Sequence, residues 1–417
     1  MIMMISYLNL FTFCFGTFVT VATIKRFLRG TYSILHILVL VFYIMQIVPI
    51  VVDEYNNMDV YKYLSPFLYK ARIDETVALT YDLFCAITVF VLKIMGDINA
   101  RYTNIFVFDG WSKYRTPILF VSYLALFLPL LGCLLAPKPS IYLQFSYFYM
   151  HKISMINPLR IYHTTVLGIL DMIAFLALIV IYYFKQNKTT NIIIALAIFL
   201  LVWIDGKRAL FVFLLIGILA IDYFKVSSGQ LNSFIKKSCF FLVVIVSYFL
   251  LYSYVTNKIS NDEFTTYSEY FARSGQVKLA IYNRLHGNKM LEYDGQSLLY
   301  NLLFYVPRSY WPDKPFGFYN YYTAYAFSGI GTPFIKGFNY QVNLWSEFLA
   351  NNGVLGYFMA LLFVWKISES IDFTSDVVTK MLGSIFILLY FMFGFELILR
   401  VLFIIYLVKV ISNRVRI

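Results

Sequence analysis

Several cations lie in the long polar segment from 256 to 352, and side chains of this kind bind phosphate. The candidates among them are Arg273, Arg284, Arg308 and Lys314. An arginine donates two parallel hydrogen bonds to phosphate oxygens, whereas a lysine supplies a compact charge. If these side chains converge, we expect a site for an anionic lipid headgroup, above all a diphosphate. Taken singly, each cation is more often solvated, with its charged end turned to water.

Two arginines outside this segment join the candidate set. Arg208 follows Asp205-Gly206-Lys207 and begins an otherwise apolar stretch, while Arg160 lies in an earlier connection. An ionisable residue at the start of a membrane segment is a functional hypothesis by default. We therefore expect Arg208 and Arg160 to contribute to the same anion site.

Glu347 and His286 are the candidate general bases. Glu347 precedes an apolar stretch and could accept a proton from a sugar hydroxyl, or it could pair with an arginine and hold the segment in place. His286 and His163 are the candidate histidines, because imidazole is the side chain that most often acts as a base near neutral pH. The 4 cysteines lie in apolar stretches without CxxC spacing, and no HExxH motif is present. We predict neither a metal site nor a cofactor.

Aromatic residues surround the cations. The apolar run from 296 to 305 ends at Pro307 and is too short to cross a bilayer. It is expected to lie in the membrane interface or to dip into a protein-lined cavity; a short buried packing helix is an equal alternative. Trp311 could stack on a sugar ring, although anchoring at the interface would use the same side chain.

The composition determines the fold class. The chain is 60% hydrophobic and only 13% charged, which is typical of polytopic membrane proteins. Its net charge of +12 comes mainly from basic residues that flank apolar stretches, so we do not expect a nucleic-acid partner. The prediction is an all-α membrane protein, 1–417, with about eleven spans. These are 2–24, 32–52, 78–95, 116–135, 164–184, 191–204, 209–225, 239–255, 353–366, 379–396 and 400–412.

Alternate connections are rich in lysine and arginine, which predicts that they are cytoplasmic. The amino terminus then lies outside and the carboxyl terminus inside. The segment 256–352 becomes a large outer loop between the eighth and ninth helices.

The sequence from Arg284 to Gly356 resembles that of a known family. Its motifs follow one another in order: Arg284-Leu285-His286-Gly287, then Gly295 after 10 intervening positions, then Val306-Pro307-Arg308-Ser309-Tyr310-Trp311-Pro312-Asp313-Lys314-Pro315, then Glu347 with Asn352-Gly353 and Gly356. This order resembles the outer-loop signature of O-antigen polymerases of the Wzy type. Arg208 resembles the helix-starting arginine of these polymerases and of the related O-antigen ligases.

The resemblance implies a metal-independent glycosyltransferase of the bacterial inner membrane with a GT-C-like architecture. Such enzymes polymerise undecaprenyl-diphosphate-linked repeat units on the periplasmic face, transferring the growing glycan to the non-reducing end of a new unit. It also implies a chain-length regulator and a flippase of the same pathway as partners. Arg208, Arg284 and Arg308, supported by Lys314, would bind the diphosphate.

Three alternatives remain. Ligases usually carry a His-Asn pair before the last outer helix, and the corresponding segment 336–343 contains no histidine. A lipid-linked oligosaccharide flippase would need cations along a central cavity, whereas here they gather at one side. A membrane acyltransferase would need a well-placed intramembrane histidine, and none stands out.

Overall fold

The computed structural model describes residues 2–28, 33–55, 65–101, 114–145, 147–151, 157–185, 187–205, 273–333 and 340–374, together with isolated residues between and after them. Within these residues the chain forms helices, turns and loops, and no strand occurs. The helices are α1 (Ile2–Leu28), α2 (Ile34–Phe42), α3 (Val48–Tyr55), α4 (Pro66–Ile73), α5 (Glu75–Asn99), α6 (Arg115–Ala125), α7 (Leu128–Leu134), α8 (Tyr147–Met150), α9 (Pro158–Tyr162), α10 (Gly168–Phe184), α11 (Lys188–Asp205), α12 (Ser274–Leu285), α13 (Gln296–Leu302), α14 (Phe318–Ser328) and α15 (Leu344–Phe373). Short π-helical turns, Tyr43–Ile47 and His163–Leu167, precede α3 and α10.

The helical membrane character is confirmed for the described part. Five stretches are long and apolar enough to cross a bilayer: Tyr7–Arg26, Ile34–Asp53, Glu75–Asn99, Arg115–Leu134 and Leu344–Phe373. Two shorter apolar helices, Gly168–Phe184 and Lys188–Ile204, match further predicted spans. The predicted spans 209–225, 239–255, 379–396 and 400–412 fall wholly or mostly outside the described residues.

The helices form two compact units. The first comprises Met1–Val107 and Ser260–Arg414, and the second comprises Phe108–Ile259 and Val415–Ile417. In the second unit, α10 packs against α6, α7 and α11. A small apolar cluster that includes Cys133, Phe148 and Leu167 holds this unit together.

The first unit has an aromatic core around Trp345, near the start of α15. The ring of Trp345 is fully buried and meets Phe42 edge-on at 6.1 Å and Phe84 at 5.9 Å between ring centroids. Tyr357 packs on Phe84 at 5.5 Å. Edge-to-face pairs of this kind add about 0.5–1.5 kcal/mol each beyond the burial of area. Trp345 belongs to the segment 256–352, so side chains of this segment and of the candidate membrane helices share one core.

One end of the first unit carries a cationic cluster around Asp97. Its carboxylate contacts Arg26 at 2.6 Å, Lys93 at 2.6 Å and the buried His36 at 3.0 Å. These residues come from the end of α1, the start of α2 and the end of α5. The three helix ends therefore lie on the same side.

Asp372 joins α15 to the same side. Its buried carboxylate accepts hydrogen bonds from the Ser33 hydroxyl, from the backbone N–H of Ile34 at 3.0 Å and from Asn99 Nδ2 at 3.2 Å. Asn99 in turn accepts a bond from Trp365 Nε1 at 3.2 Å. The end of α15 is thus fixed to the start of α2 and the end of α5.

Asp53 holds the opposite end of these helices. Its carboxylate contacts Lys278 Nζ at 3.0 Å and Arg72 at 3.6 Å, and all three side chains are buried. Lys278 lies in α12 of the outer segment. Within this unit, the ends near residues 26, 97 and 372 therefore lie together, and the ends near 53, 72 and 278 lie together at the opposite end of the helices.

Candidate functional site

Arg284, in the last turn of α12, binds the backbone of α15. Its Nε donates to the carbonyl of Leu349 at 3.2 Å, and its Nη2 donates to the carbonyl of Ala350 at 2.7 Å and to Asp294 at 2.6 Å. Its Nη1 makes no bond within the described residues. The side chain is 35% exposed. Arg284 is therefore an anchored guanidinium with one edge still open.

The carbonyls that Arg284 binds are accessible because α15 breaks at Gly353. The backbone there has φ 56° and ψ −132°, which ends the regular helix before a second helical stretch continues. Residues with a side chain rarely adopt this conformation, so glycine is required. At Gly356 a Cβ would lie 1.9 Å from the carbonyl oxygen of Phe348, so glycine is needed there for close backbone approach. Two glycines of the sequence motif thus have a physical explanation.

Gly295 has a similar explanation. It adopts φ 83° immediately before α13, a left-handed conformation that favours glycine. The ten-residue interval between Arg284 and Gly295 leads the chain from the end of α12 to the start of α13. The carboxylate of Asp294, which precedes the glycine, forms an ion pair with Arg284. This ion pair joins the two ends of the ten-residue loop.

This loop forms one wall of a pocket of about 250 Å³. The polar residues that line it are Asn283, Arg284, Asn288, Lys289, Glu292, Tyr293 and Asp294; Met290, Leu291 and, from α15, Ala350 complete it. Because charged and amide groups surround it, the pocket suits a polar ligand.

Glu347 is buried, at 1% exposure, beneath α13. Its carboxylate accepts hydrogen bonds from Ser297 Oγ at 2.9 Å, from Asn301 Nδ2 at 2.6 Å and from the backbone N–H of Phe395 at 2.9 Å. Asn351 also donates to Ser297 Oγ, at 2.7 Å. Glu347 therefore fixes α13 to α15, and whether it also acts as a base stays a prediction.

The short helix α13 has an unusual polarity. Its polar residues Gln296, Ser297 and Asn301 are buried, whereas Leu302 is 59% exposed and Tyr305, just beyond its end, is 67% exposed. The segment packs on protein through its polar face, as a packing helix would, and turns apolar side chains outward, as a helix in the membrane interface would. Such a face suits the membrane interface.

Arg308 and Lys314 turn toward their own loop. Arg308 donates to the carbonyls of Lys314 at 2.6 Å and Pro315 at 2.9 Å. Lys314 is 6% exposed and donates to the carbonyls of Phe304 at 2.7 Å and Val306 at 2.9 Å. These bonds shape the loop around Trp311, which is half-buried. Arg308 itself remains exposed.

Arg273 connects the segment 256–352 to the helices near Met45. It is 6% exposed, its Nη2 donates to Gln341 Oε1 at 2.7 Å, and its backbone N–H donates to the carbonyl of Met45 at 2.9 Å. Burial lowers the pKa of its guanidinium to about 10, so the charge is retained at neutral pH. In the described structure this cation lies in the protein interior.

His286 lies at the surface, 2.8 Å from Asp74 and 4.4 Å from the Tyr282 ring centroid. Burial alone would raise the pKa of Asp74, but hydrogen bonds from Thr76, Val77 and His286 lower it below its usual value. The carboxylate is therefore ionised at neutral pH and accepts a hydrogen bond from the imidazole. This pairing orients one nitrogen of His286.

The last two candidates are Arg160 and Arg208. Arg160 lies in α9 of the second unit, and Arg208 lies outside the described residues. Sequence reasoning missed Asn283, Asp294, Ser297 and Asn301. The positions of Asn283 and Asp294 next to motif residues were a signal, whereas nothing in the sequence marks the two partners of Glu347.

No group of three or more metal-binding side chains occurs among the described residues. Comparisons of the chain with family profiles, curated proteins and solved structures find no match.

Proposed function

We propose that this chain is a glycosyltransferase that polymerises undecaprenyl-diphosphate-linked repeat units on the periplasmic face of the bacterial inner membrane. One observation carries the proposal. Arg284 of the motif lines a polar pocket together with Asp294, which precedes the motif glycine Gly295, and with Ala350, which lies shortly before the motif glycine Gly353. A motif arginine at a polar pocket is a better candidate for substrate binding than one on an open surface.

The reaction would be attack by an acceptor hydroxyl on the anomeric carbon of the donor glycan. The bond between that carbon and the diphosphate oxygen breaks, and polyprenyl diphosphate leaves. A base takes the hydroxyl proton; Glu347 and His286 are the candidates. Because negative charge grows on the leaving oxygen, fixed cations lower the barrier.

Arg284 is the described cation best suited to the diphosphate, since its Nη1 edge is open while its other nitrogens are anchored. Arg208 and Arg308 are further proposed ligands, supported by Lys314. Arg308 and Lys314 would have to exchange their carbonyl partners for phosphate oxygens. Without that exchange, they contribute by holding the loop.

The wider proposal includes a GT-C-like fold with about eleven spans, a periplasmic amino terminus and a cytoplasmic carboxyl terminus. It also includes a chain-length regulator and a flippase as partners. The apolar helices and the separation of the two helix ends in the first unit support it.

Arg284→Ala tests the function directly. Purified protein is supplied with a synthetic lipid-diphosphate repeat unit in detergent, and polymer growth is measured. Loss of one fixed donor is expected to lower the rate by about 10²–10³. Lys366→Ala, an exposed cation at the other helix end, is the matched control and should retain full activity.

The same variants are compared in cells that lack the native chain, with lipopolysaccharide separated on gels. Single capped repeats with Arg284→Ala, at protein levels equal to wild type, support the proposal. Long chains of normal length would exclude Arg284 from catalysis, and absence of polymer growth with the unaltered protein would overturn the function itself.

A further inference from the structure

Asn283 is an unusual component of the pocket beside Arg284. It is 2% exposed and lies in the pocket lining. Neither its Oδ1 nor its Nδ2 has a hydrogen-bond partner within the described part of the chain. A buried polar group without a partner costs about 1–3 kcal/mol, and native structures contain few of them. An amide without donor or acceptor contacts, in a residue that lines a polar pocket, is a candidate for contact with a ligand.

The charges around the pocket identify the kind of ligand. Arg284 and Lys289 are opposed by Glu292 and Asp294, so the formal charge of the lining cancels. A phosphate group within the pocket would face two carboxylates. A neutral, hydroxyl-rich ligand would instead use the carboxylates as acceptors and the cations and amide as donors.

The size of the pocket agrees with one sugar ring. The volume of about 250 Å³ lies below the roughly 300–1,000 Å³ of pockets for drug-sized ligands. Tyr293 lines the pocket and is 46% exposed, which leaves its ring available for stacking.

We propose that this pocket is a subsite for one neutral sugar ring, which hydrogen-bonds to Asn283 directly or through a bridging water. The proposal deepens the function given above and rests on it for the identity of the glycan; sugar binding as such does not depend on it. The diphosphate then lies outside the pocket, on the open edge of Arg284, and the sugar lies inside.

The test uses the full-length protein in nanodiscs and saturation-transfer NMR. The probes are glucose, galactose, mannose, rhamnose, N-acetylglucosamine and N-acetylgalactosamine, with inorganic pyrophosphate as competitor. At least one sugar should receive saturation, and pyrophosphate should not displace it. Asn283→Leu should weaken that sugar about tenfold, equivalent to about 1.4 kcal/mol. Tyr293→Ala, at an exposed position, should weaken it as well.

Thermal unfolding separates a binding role from a structural one. Asn283→Leu removes two unsatisfied groups, so the melting temperature should stay unchanged or rise. Asn351→Leu is the matched contrast: this buried amide donates to Ser297 Oγ and to the Glu347 carbonyl, each at 2.7 Å, so its loss should lower the melting temperature.

The subsite is excluded if no sugar binds, if pyrophosphate displaces the sugar, or if Asn283→Leu and Tyr293→Ala bind as wild type does. Sugar binding that persists while the lipid-linked repeat unit fails to polymerise would remove the proposed function and keep the subsite. If the unaltered protein polymerises the repeat unit while Asn283→Leu and Tyr293→Ala keep wild-type sugar affinity, the proposed function is retained and the subsite is excluded.

Discussion

Glu347 shows how a single buried carboxylate can organise a site. A buried charge is tolerated only where donors surround it, and here one hydroxyl, one side-chain amide and one backbone N–H do so. The residue also lies in the first turn of α15, where the helix dipole favours negative charge. The same donors that stabilise the charge hold it away from the pocket at Arg284, so a catalytic role would require α13 to move.

Glu347→Gln should therefore destabilise the protein. The glutamine keeps one acceptor oxygen but turns its NH₂ toward one of three donors, which costs about 1–3 kcal/mol. Thermal unfolding in detergent measures the effect. Glu369→Gln, which loses only an ion pair with Lys366 near the surface, is the control and should change stability by less than about 1 kcal/mol. Equal melting temperatures for the two variants would contradict the anchoring role.

The importance of the predicted cations stays a prediction, but the structure describes the partners of three of them, Arg284, Arg308 and Lys314. Arg284 does line a pocket. Arg308 and Lys314 bind loop carbonyls instead of pointing together into a cluster. A motif reveals residue types and spacing, but the direction of a long side chain depends on which carbonyls the fold leaves without partners.

Among the elements, α15 is the one whose form was least expected. The sequence predicted a span beginning at residue 353, whereas the helix begins at Leu344 and breaks at Gly353. Hydropathy follows the apolar residues and so detects only the most apolar part of a helix. The first turn, with Asn343 as its cap, extends the helix toward the preceding loop.

Gly353→Ala tests the importance of this break. The φ of 56° and ψ of −132° strain any residue with a Cβ, so we expect a loss of about 1–3 kcal/mol. Thermal unfolding is again the measurement. A matched alanine substitution at Gly168, which has φ −59° and meets only the His163 carbonyl at 3.7 Å, should be neutral or stabilising. A neutral result at Gly353 would mean that the break is not required.

At the scale of the whole molecule, the polar clusters divide the first unit into two ends. Asp97 and Asp372 collect cations and hydrogen-bond donors at one end, and Asp53 does so at the other. Such a division is expected where each apolar helix crosses to the opposite side, and the side on which each basic connection lies stays a prediction. The pairing of the clusters was not predictable, since Asp53, Arg72 and Lys278 lie in separate parts of the sequence with no distinguishing motif.

Thiol labelling tests which end faces outward. Tyr310, 85% exposed, and Lys366, with a 66% exposed side chain, are replaced singly by cysteine. In spheroplasts, a membrane-impermeant maleimide should label Tyr310→Cys, whereas Lys366→Cys should react only after lysis. The unaltered chain measures background from its own cysteines. The opposite pattern would reverse the proposed orientation.

The burial of Trp345 has a practical consequence. Its indole belongs by sequence to the outer segment, but it packs against Phe42 and Phe84 of helices that cross the membrane. A soluble fragment cut from this segment would expose that indole to water. It would also lose the hydrogen bond from the Arg273 backbone N–H to the Met45 carbonyl. Antibodies raised against such a fragment would recognise an unfolded epitope, so reagents for this protein should be selected against the intact chain in a bilayer.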